Sequence, residues 1–186
     1  MESRHEDILF EGMAIPLYSA NTLVIGSGAA GLNAAVRLVR NGVADVLLVT
    51  EKWGAGTSFN AGSDKQTYYK LSLGGEALDA PRRMADDLFA GGSMHGDHAL
   101  CEANLSAECF HHLVQLGVPF PYSPWGAHVG YRTDHDPRGR ATSAGPCTSR
   151  IMGERLGREV KRLGVPVLNR HMVVSVSYTH LTLPTN

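Results

Sequence analysis

The feature that most constrains this chain is a glycine-rich turn between an apolar run and a helical pattern. Thr22–Ile25 is short, apolar and partly β-branched, which is typical of a strand buried on both faces. The segment GSGAAG at 26–31 follows it directly, with glycine at its first, third and last positions. Residues 29–40 then have a helical pattern that ends at Asn41 and Gly42. This order predicts a strand, a tight turn and a helix in immediate succession.

Each glycine of the turn has a separate physical reason. Gly26 permits the tight turn, Gly28 leaves the main chain open to a pyrophosphate, and Gly31 lets the helix pack closely on the strand. The N–H groups at the start of the helix point toward such an anion. The predicted contact residues are those of the turn: Gly26, Ser27, Gly28, Ala29, Ala30 and Gly31.

A carboxylate is expected one strand further along. Val46–Thr50 is a second apolar run, and Glu51 follows it, 25 positions after Gly26. At the carboxyl end of a parallel strand, a carboxylate can accept hydrogen bonds from ribose hydroxyls. The whole unit therefore favours dinucleotide binding. A glycine turn without a ligand would account for Gly26 and Gly31, but it would leave the position of Glu51 unexplained.

Length, charge and cysteine content set the outer bounds. The 186 residues are enough for one domain with a sizeable core. A formal net charge of −1 argues against a nucleic-acid or anionic-membrane partner. No apolar run reaches the roughly 18–20 residues of a membrane span, and the N-terminus has no apolar signal core. Three cysteines without a C-x-x-C pair indicate reduced thiols, so we predict a cytoplasmic protein.

The segment after Glu51 is predicted to be a loop beside the ligand. Residues 52–73 are rich in Gly, Ser, Thr and Asn, and they begin where the second strand ends. Its polar groups are the hydroxyls and amide of Thr57, Ser58 and Asn60 and the main-chain N–H groups of Ala61, Gly62 and Ser63. A place at the carboxyl ends of the strands favours contact with a ligand. A solvated surface loop is the alternative.

The remaining chain is predicted to consist of helices and short connections. Residues 1–20 form a polar lead-in along the sheet edge, where Pro16 is tolerated. Helices are expected at 79–90, with Asp79 as N-cap, at 98–116, with an apolar face through Leu100, Ala103, Ala107, Phe110 and Val114, and at 148–163. Short strands are expected at 165–168 and 172–174.

Two groups of polar residues are candidates for an anion site and a metal site. Residues 127–146 form a predicted polar loop that could line an anion site or be a solvated surface, with Arg132, His135, Arg138 and Arg140. The grouping of His95, Asp97, His98 and Cys101 fits no zinc spacing, so no metal site is predicted. Ser27 and Ser58 have no paired base, and Cys147 has no partner cysteine, so nucleophilic catalysis is not indicated.

The segments VIGSGAAGLNAA, LLVTEK and GTSFNAGS resemble the FAD-binding domain of the fumarate reductase, succinate dehydrogenase and L-aspartate oxidase flavoprotein family. The resemblance implies FAD as cofactor, with the pyrophosphate on Gly26, Gly28 and Gly31. It implies that Glu51 binds the adenosine ribose with Lys52 beside it, and that Val173 meets the adenine through its backbone. The loop contacts to the pyrophosphate and flavin would come from Thr57, Ser58, Ala61 and Gly62.

The resemblance also implies how the flavin is held. Family members with covalent flavin have a histidine in this loop, whereas the matching place here is Thr57 or Ser58, so noncovalent FAD is expected. The family loop usually has Gln-Gly-Gly where this chain has Ala61-Gly62-Ser63. The family's substrate-binding arginines and histidines, and its mobile capping domain, would lie further along than this chain reaches. No catalytic residue is therefore assigned.

The predicted fold is α/β: a Rossmann-like, doubly wound, mainly parallel sheet, as a truncated FAD-binding domain at 21–175 after the lead-in at 1–20. The expected function is that of a flavin-dependent oxidoreductase that exchanges hydride with a small substrate, such as a dicarboxylate or amino acid. An electron-transfer partner is a further expectation. An NAD-dependent dehydrogenase and a non-catalytic FAD-binding module are the alternatives.

The last residues have a different character. Residues 176–185 read VSYTHLTLPT, which matches the translation of a sequencing-transposon end. We therefore expect 176–186 to be adapter read-through and the natural gene to continue, and these residues are left out of the fold prediction.

Overall fold

A computed structural model describes residues 4–62, 66–74, 79–133 and 136–177. The chain divides into two compact units, the first made of residues 1–56 and 160–186 and the second of residues 57–159. The elements, in chain order, are β1 (Arg4–Phe10), β2 (Met13–Ser19), β3 (Thr22–Ile25), α1 (Ala29–Arg40), β4 (Val46–Thr50), α2 (Thr57–Asn60), β5 (Tyr68–Tyr69), α3 (Pro81–Ala90), α4 (Gly96–Gln115), β6 (Tyr131–Thr133), β7 (Asp136–Thr142), α5 (Thr148–Arg162) and β8 (Val167–Asn169).

The first unit contains a parallel sheet in the order β3-β4-β8. Thr22 pairs with Val46 and Leu48 pairs with Val167, so the carboxyl ends of the three strands meet at one edge. All five residues of the central strand β4 are buried, as its unbroken apolar sequence predicts. The predicted bounds of β3, α1 and β4 are confirmed, and with them the α/β, Rossmann-like fold class.

Helix α1 covers this sheet through one apolar face. Leu32, Ala35 and Val36 are its buried residues, and Arg37 and Arg40 occupy its last turn. The helix ends at Asn41, whose N–H donates to the carbonyl of Arg37, and Gly42 follows with a φ of +86°. The predicted helix end is therefore confirmed.

The prediction that this segment lies along the edge of the parallel sheet was wrong for Arg4–Ser19. These residues form a hairpin, a two-stranded antiparallel sheet of their own in which Ile8 pairs with Ile15 and Asp7 with Pro16. The turn has positive φ at both Glu11 (50°) and Gly12 (79°), which is the geometry that suits the twist of a two-residue hairpin. Proline is accommodated because both strands are edges, where an N–H donor is dispensable.

The second unit contains an antiparallel sheet in the order β5-β7-β6. Tyr68 pairs with Thr142 and Tyr131 pairs with Ala141. The prediction of a loop at 127–146 was therefore wrong, because this segment contains the strands β6 and β7. The loop predicted at 52–73 likewise contains α2 and β5. Conversely, residues 172–174, predicted as a strand, have no strand pairing.

Helices α3 and α4 supply a core cluster of the second unit. Met84, Ala85, Ala99 and Ala103 are buried together. The face predicted for α4 is confirmed at Ala103 and Phe110, which are buried. It is wrong at Leu100, which is 38% exposed, while Ala99, Ser106 and Leu113 are buried in addition. The predicted N-cap is also wrong: α3 begins after Ala80 and has no side-chain cap, because the Asp79 carboxylate is engaged elsewhere.

Candidate functional site

A cavity of about 540 Å³ lies in the first unit at the carboxyl edge of the parallel sheet. Four segments line it: the end of β3 with the glycine turn (25–28), the end of β4 with the two residues after it (49–52), Ala55 with Gly56, and the segment after β8 (171–173). Three of these segments begin at the ends of the three parallel strands. The fold therefore places its cavity where open α/β sheets bind ligands.

The glycine turn has the geometry that its sequence predicts. Gly26 has a φ of +97°, and its N–H still donates to the carbonyl of Val49 at 2.8 Å. A Cβ on Gly31 would overlap the carbonyl oxygen of Gly26, so only glycine lets α1 start this close to the turn. Gly28 is the N-cap of α1 and supplies no side chain to cap it. The main chain of the turn thus faces the cavity without side-chain cover at Gly26 and Gly28.

Ser27 lies inside the turn in a role that its sequence does not reveal. Its side chain is buried, and its hydroxyl lies 2.9 Å from the Thr50 hydroxyl. This bond joins the turn after β3 to the end of β4, which holds the two closest walls of the cavity together. A ligand contact by Ser27 would therefore come from its main-chain N–H.

The predicted acid lies on the wall of the same cavity. Glu51 and Lys52 directly follow β4, are exposed and line the cavity together with Gly26 and Gly28. Val173, which is 39% exposed, lines it from the segment after β8. The structure therefore brings together Gly26, Ser27, Gly28, Glu51, Lys52 and Val173, with Ala29, Ala30 and Gly31 in the first turn of α1.

The segment after β8 contributes residues that sequence reasoning missed. His171 and Met172 line the cavity, and the main-chain N–H of His171 donates to the carbonyl of Thr50 at 3.2 Å. The side-chain oxygen of Asn169 accepts a hydrogen bond from the Trp53 N–H at 2.9 Å. A short strand was predicted at 165–168, and the structure has β8 at Val167–Asn169, but no sequence pattern indicated its parallel pairing with β4 or these hydrogen bonds.

The other predicted contacts belong to the second unit. Thr57 and Ser58 are in the four-residue helix α2, and Ala61 follows with its N–H donating to the Thr57 carbonyl at 2.7 Å. The side-chain amide of Gln66 donates to the Ala61 carbonyl at 2.9 Å, which fixes the chain before Gly62. Ser63 lies outside the described residues. The flavin contacts expected from Thr57, Ser58, Ala61 and Gly62 therefore stay predictions.

The arginines considered for an anion site have other surroundings. The guanidinium of Arg140 is fully buried and binds both oxygens of Asp79, at 2.8 and 2.7 Å, and one oxygen of Asp87 at 2.8 Å. Arg138 donates to Asp87 at 3.3 Å. The sequence left two interpretations of this segment open, an anion site and a solvated surface, and both are wrong for Arg140. His135 lies outside the described residues.

Burial and hydrogen bonds shift the pKa values of Asp79 and Tyr69 in the second unit. Burial by itself raises the pKa of Asp79, but hydrogen bonds from Arg140 and from the N–H groups of Ser72 and Ala80 hold that pKa at about 2. Burial, followed by a hydrogen bond with Asp136, raises the pKa of Tyr69 to about 12. Asp79 and Tyr69 therefore stay in one ionisation state near neutral pH, so the ion cluster of Arg140 with Asp79, Asp87 and Asp136 has a structural role.

Lys70 is buried beside the ion cluster. Its ammonium donates to the carbonyls of Leu71 and His128, each at 3.2 Å, and lies 5.0 Å from the centre of the Phe110 ring. Burial lowers the pKa of Lys70, and the charge of Asp79 opposes that effect. Two carbonyls and an aromatic face thus surround the buried ammonium of Lys70.

The size and lining of the cavity suit the nucleotide part of a dinucleotide. Its volume is in the range of small-molecule sites, which is roughly 300–1,000 Å³. Main-chain glycines and the start of a twelve-residue helix suit a diphosphate, and a carboxylate one strand away suits ribose hydroxyls. The fold and the site together define a nucleotide-binding α/β protein of the Rossmann-like class.

Comparison with protein families narrows that class. The model of a family described as an FAD binding domain matches residues 21–180. This chain belongs to that family, and FAD is its cofactor. No curated protein matches the chain.

Solved structures of larger proteins share the fold. They include Sdh1 of Mycobacterium smegmatis, 19% identical with a TM-score of 0.69, and an E. coli quinol fumarate reductase, 19% identical with a TM-score of 0.66. A 3-ketosteroid-delta4-(5alpha)-dehydrogenase from Rhodococcus jostii is 22% identical with a TM-score of 0.60. Each match covers 81% of this chain but only 27%, 25% and 38% of the respective relative. The predicted resemblance to the fumarate reductase and succinate dehydrogenase flavoproteins is confirmed.

Among the described residues, no helix has both the length and the apolar character to cross a bilayer. Within the part of the chain that the structure describes, Cys101, Cys109 and Cys147 form no disulfide. The cytoplasmic location inferred from sequence stays a prediction.

Proposed function

We propose that the cavity of the first unit holds the ADP half of FAD. The observation that carries this proposal is that the uncovered glycine turn and Glu51 line one cavity. The diphosphate would rest on main-chain N–H groups at 26–31, because these donors suit an anion at a helix N-terminus. Glu51 would accept hydrogen bonds from the ribose, and the adenine would lie near Val173.

We further propose that FAD is bound noncovalently and serves an oxidoreductase. FAD supplies the two-electron redox chemistry, while the protein binds and orients it. Thr57 and Ser58 stand where the resemblance implies a histidine in proteins with covalent flavin, and neither side chain forms that link. The names of the fold relatives, a fumarate reductase and a ketosteroid dehydrogenase, support oxidation–reduction in general terms.

A small substrate, such as a dicarboxylate or amino acid, and an electron-transfer partner complete the proposal. Since fold relatives of this domain are named for substrates as different as fumarate and a ketosteroid, the substrate is not set by the domain fold. We therefore place the choice of substrate, and the catalytic residues, outside the FAD-binding domain itself.

Titration of the 186-residue chain with FAD tests the binding proposal. We expect saturable binding at one site, competition by ADP, and no competition by riboflavin at equal concentration. Denaturation in acid should release all flavin into the supernatant if binding is noncovalent. Binding of NAD in preference to FAD would overturn the proposal in favour of a nicotinamide enzyme. Flavin that stays with the precipitated protein would contradict noncovalent attachment.

A further inference from the structure

The segment after β4 and the segment after β8 are joined outside the cavity that they line. The first contains Glu51 and Lys52, and the second contains His171 and Val173. The two meet at Asn169, the last residue of β8. This junction matters for the ligand because one of the two segments contains the carboxylate proposed for the ribose and the other contains the backbone proposed for the adenine.

Asn169 takes part in two of the hydrogen bonds at this junction. Its side-chain oxygen accepts from the Trp53 N–H at 2.9 Å. Its main-chain carbonyl lies 2.9 Å from Nδ1 of His171, which orients that ring. The main-chain N–H of His171 in turn donates to the Thr50 carbonyl at 3.2 Å. The segment after β8 is therefore fixed to β4 on one side and to the residues after β4 on the other.

Two further observations show that the local conformation is specifically maintained. Arg170 has a φ of 64°, a left-handed conformation that non-glycine residues adopt rarely and that clusters at ligand-binding segments. The Trp53 ring is also held, since the ammonium of Lys161 lies 5.2 Å from its centre. Trp53 is thus held at its backbone by Asn169 and at its side chain by Lys161.

We propose that Asn169 is a positioning residue for the adenosine end of FAD. The inference rests on the proposed function of this cavity. By accepting the Trp53 N–H, Asn169 fixes the spacing between Glu51 and the 171–173 segment before the ligand arrives. Asn169 is not needed to touch the ligand, because preorganised walls spare the ligand the cost of ordering them.

Substitution of Asn169 separates this role from a general effect on folding. Asn169→Ala removes the acceptor, whereas Asn169→Asp keeps an oxygen in its place. The matched control is Asn41→Ala, which also replaces an asparagine by alanine. Asn41 lies at the C-terminal end of α1 and does not line the cavity. ADP and adenosine are the probes, titrated by calorimetry. Adenosine has no phosphate, so the carboxylate added in Asn169→Asp does not repel it.

We expect Asn169→Ala to bind both probes roughly three- to tenfold more weakly than the wild type, which is the size of one lost hydrogen bond. Asn169→Asp should bind adenosine as the wild type does, and Asn41→Ala should bind both probes normally. Amide hydrogen exchange at residues 51–56 should become faster in Asn169→Ala in the absence of any probe. A role limited to folding would change the melting temperature without this pattern.

The outcomes that would overturn the inference are distinct from failure of the proposed function. If the wild type binds ADP and Asn169→Ala binds it equally well, Asn169 does not position the ligand. If Asn169→Asp is as weak toward adenosine as Asn169→Ala, the accepted hydrogen bond is not the cause. If the wild type binds neither ADP nor FAD, the proposed function itself falls, and the inference with it.

Discussion

Gly31 decides how closely α1 approaches the glycine turn. A Cβ at this position would overlap the Gly26 carbonyl oxygen and would lie 3.6 Å from a methyl group of Val24. We expect Gly31→Ala to lower the free energy of unfolding by about 1–3 kcal/mol, the usual cost of overpacking. Urea denaturation followed by circular dichroism measures this.

Gly96→Ala is the matched control for Gly31. Gly96 is the first residue of α4, and an added Cβ would meet the Phe89 ring at 3.7 Å, an ordinary contact. Its effect should stay within about 0.5 kcal/mol. Equal losses in the two variants would show that close packing at the turn is not the reason for glycine at position 31.

Glu51 should matter to the ribose and not to the phosphates. Replacing the carboxylate by an amide in Glu51→Gln removes a charged acceptor, for which hydrogen bonds contribute about 1.5–3 kcal/mol. We expect ADP to bind at least about tenfold more weakly. In the wild type, 2′-deoxy- and 3′-deoxy-ADP show which hydroxyl is bound, since removing it should cost affinity. Glu51→Gln should bind ADP and the analogue that lacks the bound hydroxyl with equal affinity. An undiminished preference for ADP in the variant would refute the assignment.

At the scale of elements, an ion cluster, defined as Arg140 with Asp79, Asp87 and Asp136, joins strand β7 to helix α3 and to the residues just before that helix. Removing the cation in Arg140→Met leaves Asp79 buried without its main partner, and its side chain is only 1% exposed. We expect a loss of about 3–5 kcal/mol in unfolding free energy. The control is Arg82→Met, since Arg82 pairs with Asp86 on the surface of α3, and such pairs contribute only about 0.3–0.5 kcal/mol.

The pH dependence of stability should report on the same cluster. The pKa of Asp79 is about 2 in the folded chain against an ordinary value of 3.8. Because the pKa is lowered on folding, the stabilisation is fully present above pH 3.8 and is lost as pH falls toward 2. The stability gap between the wild type and Asp79→Asn should therefore narrow by about 2 kcal/mol over that interval. A gap that is constant with pH would contradict the ion-paired state of Asp79. Asp86→Asn serves as the exposed control.

The elements that the sequence predicts best are those whose causes are local. Thr22–Ile25, the glycine turn and the next strand have uninterrupted apolar runs and residue-specific turn chemistry, and their bounds agree with the structure. Strand β7, with the sequence DPRGRAT, contains polar residues, a proline and a glycine, which are typical of a loop. It is a strand because it pairs with β5 and β6, and Asp79 and Asp87, more than 50 positions away, neutralise its buried Arg140. No local pattern contains that information.

The residues of the candidate site also differ in whether their position depends on local sequence or on strand pairing. Gly26, Gly28 and Glu51 were predictable because a known geometry requires those residue types at that spacing. Asn169 and His171 were not, since the parallel pairing of β8 with β4 brings His171 to the cavity and Asn169 next to it. The Ser27–Thr50 bond likewise depends on the pairing of β3 with β4.

At the scale of the whole molecule, the chain is an FAD-binding domain that spans 25–38% of the length of the fold relatives described above. Its first unit has the cavity proposed for the ADP half of FAD, and its second unit contains Thr57, Ser58, Ala61 and Gly62, which are predicted to contact the pyrophosphate and flavin. Loss of ADP binding should therefore follow changes in the first unit. Changes at Thr57 or Ser58 should reduce FAD affinity more than ADP affinity, and equal effects on both would contradict this division.

A crystal structure of the chain with FAD tests the central claim most directly. The account predicts diphosphate oxygens within hydrogen-bonding distance, roughly 2.7–3.2 Å, of main-chain nitrogens between positions 26 and 31. It also predicts the Glu51 carboxylate against the ribose hydroxyls. A diphosphate bound away from the glycine turn, or a ribose on the far side of the cavity from Glu51, would contradict it.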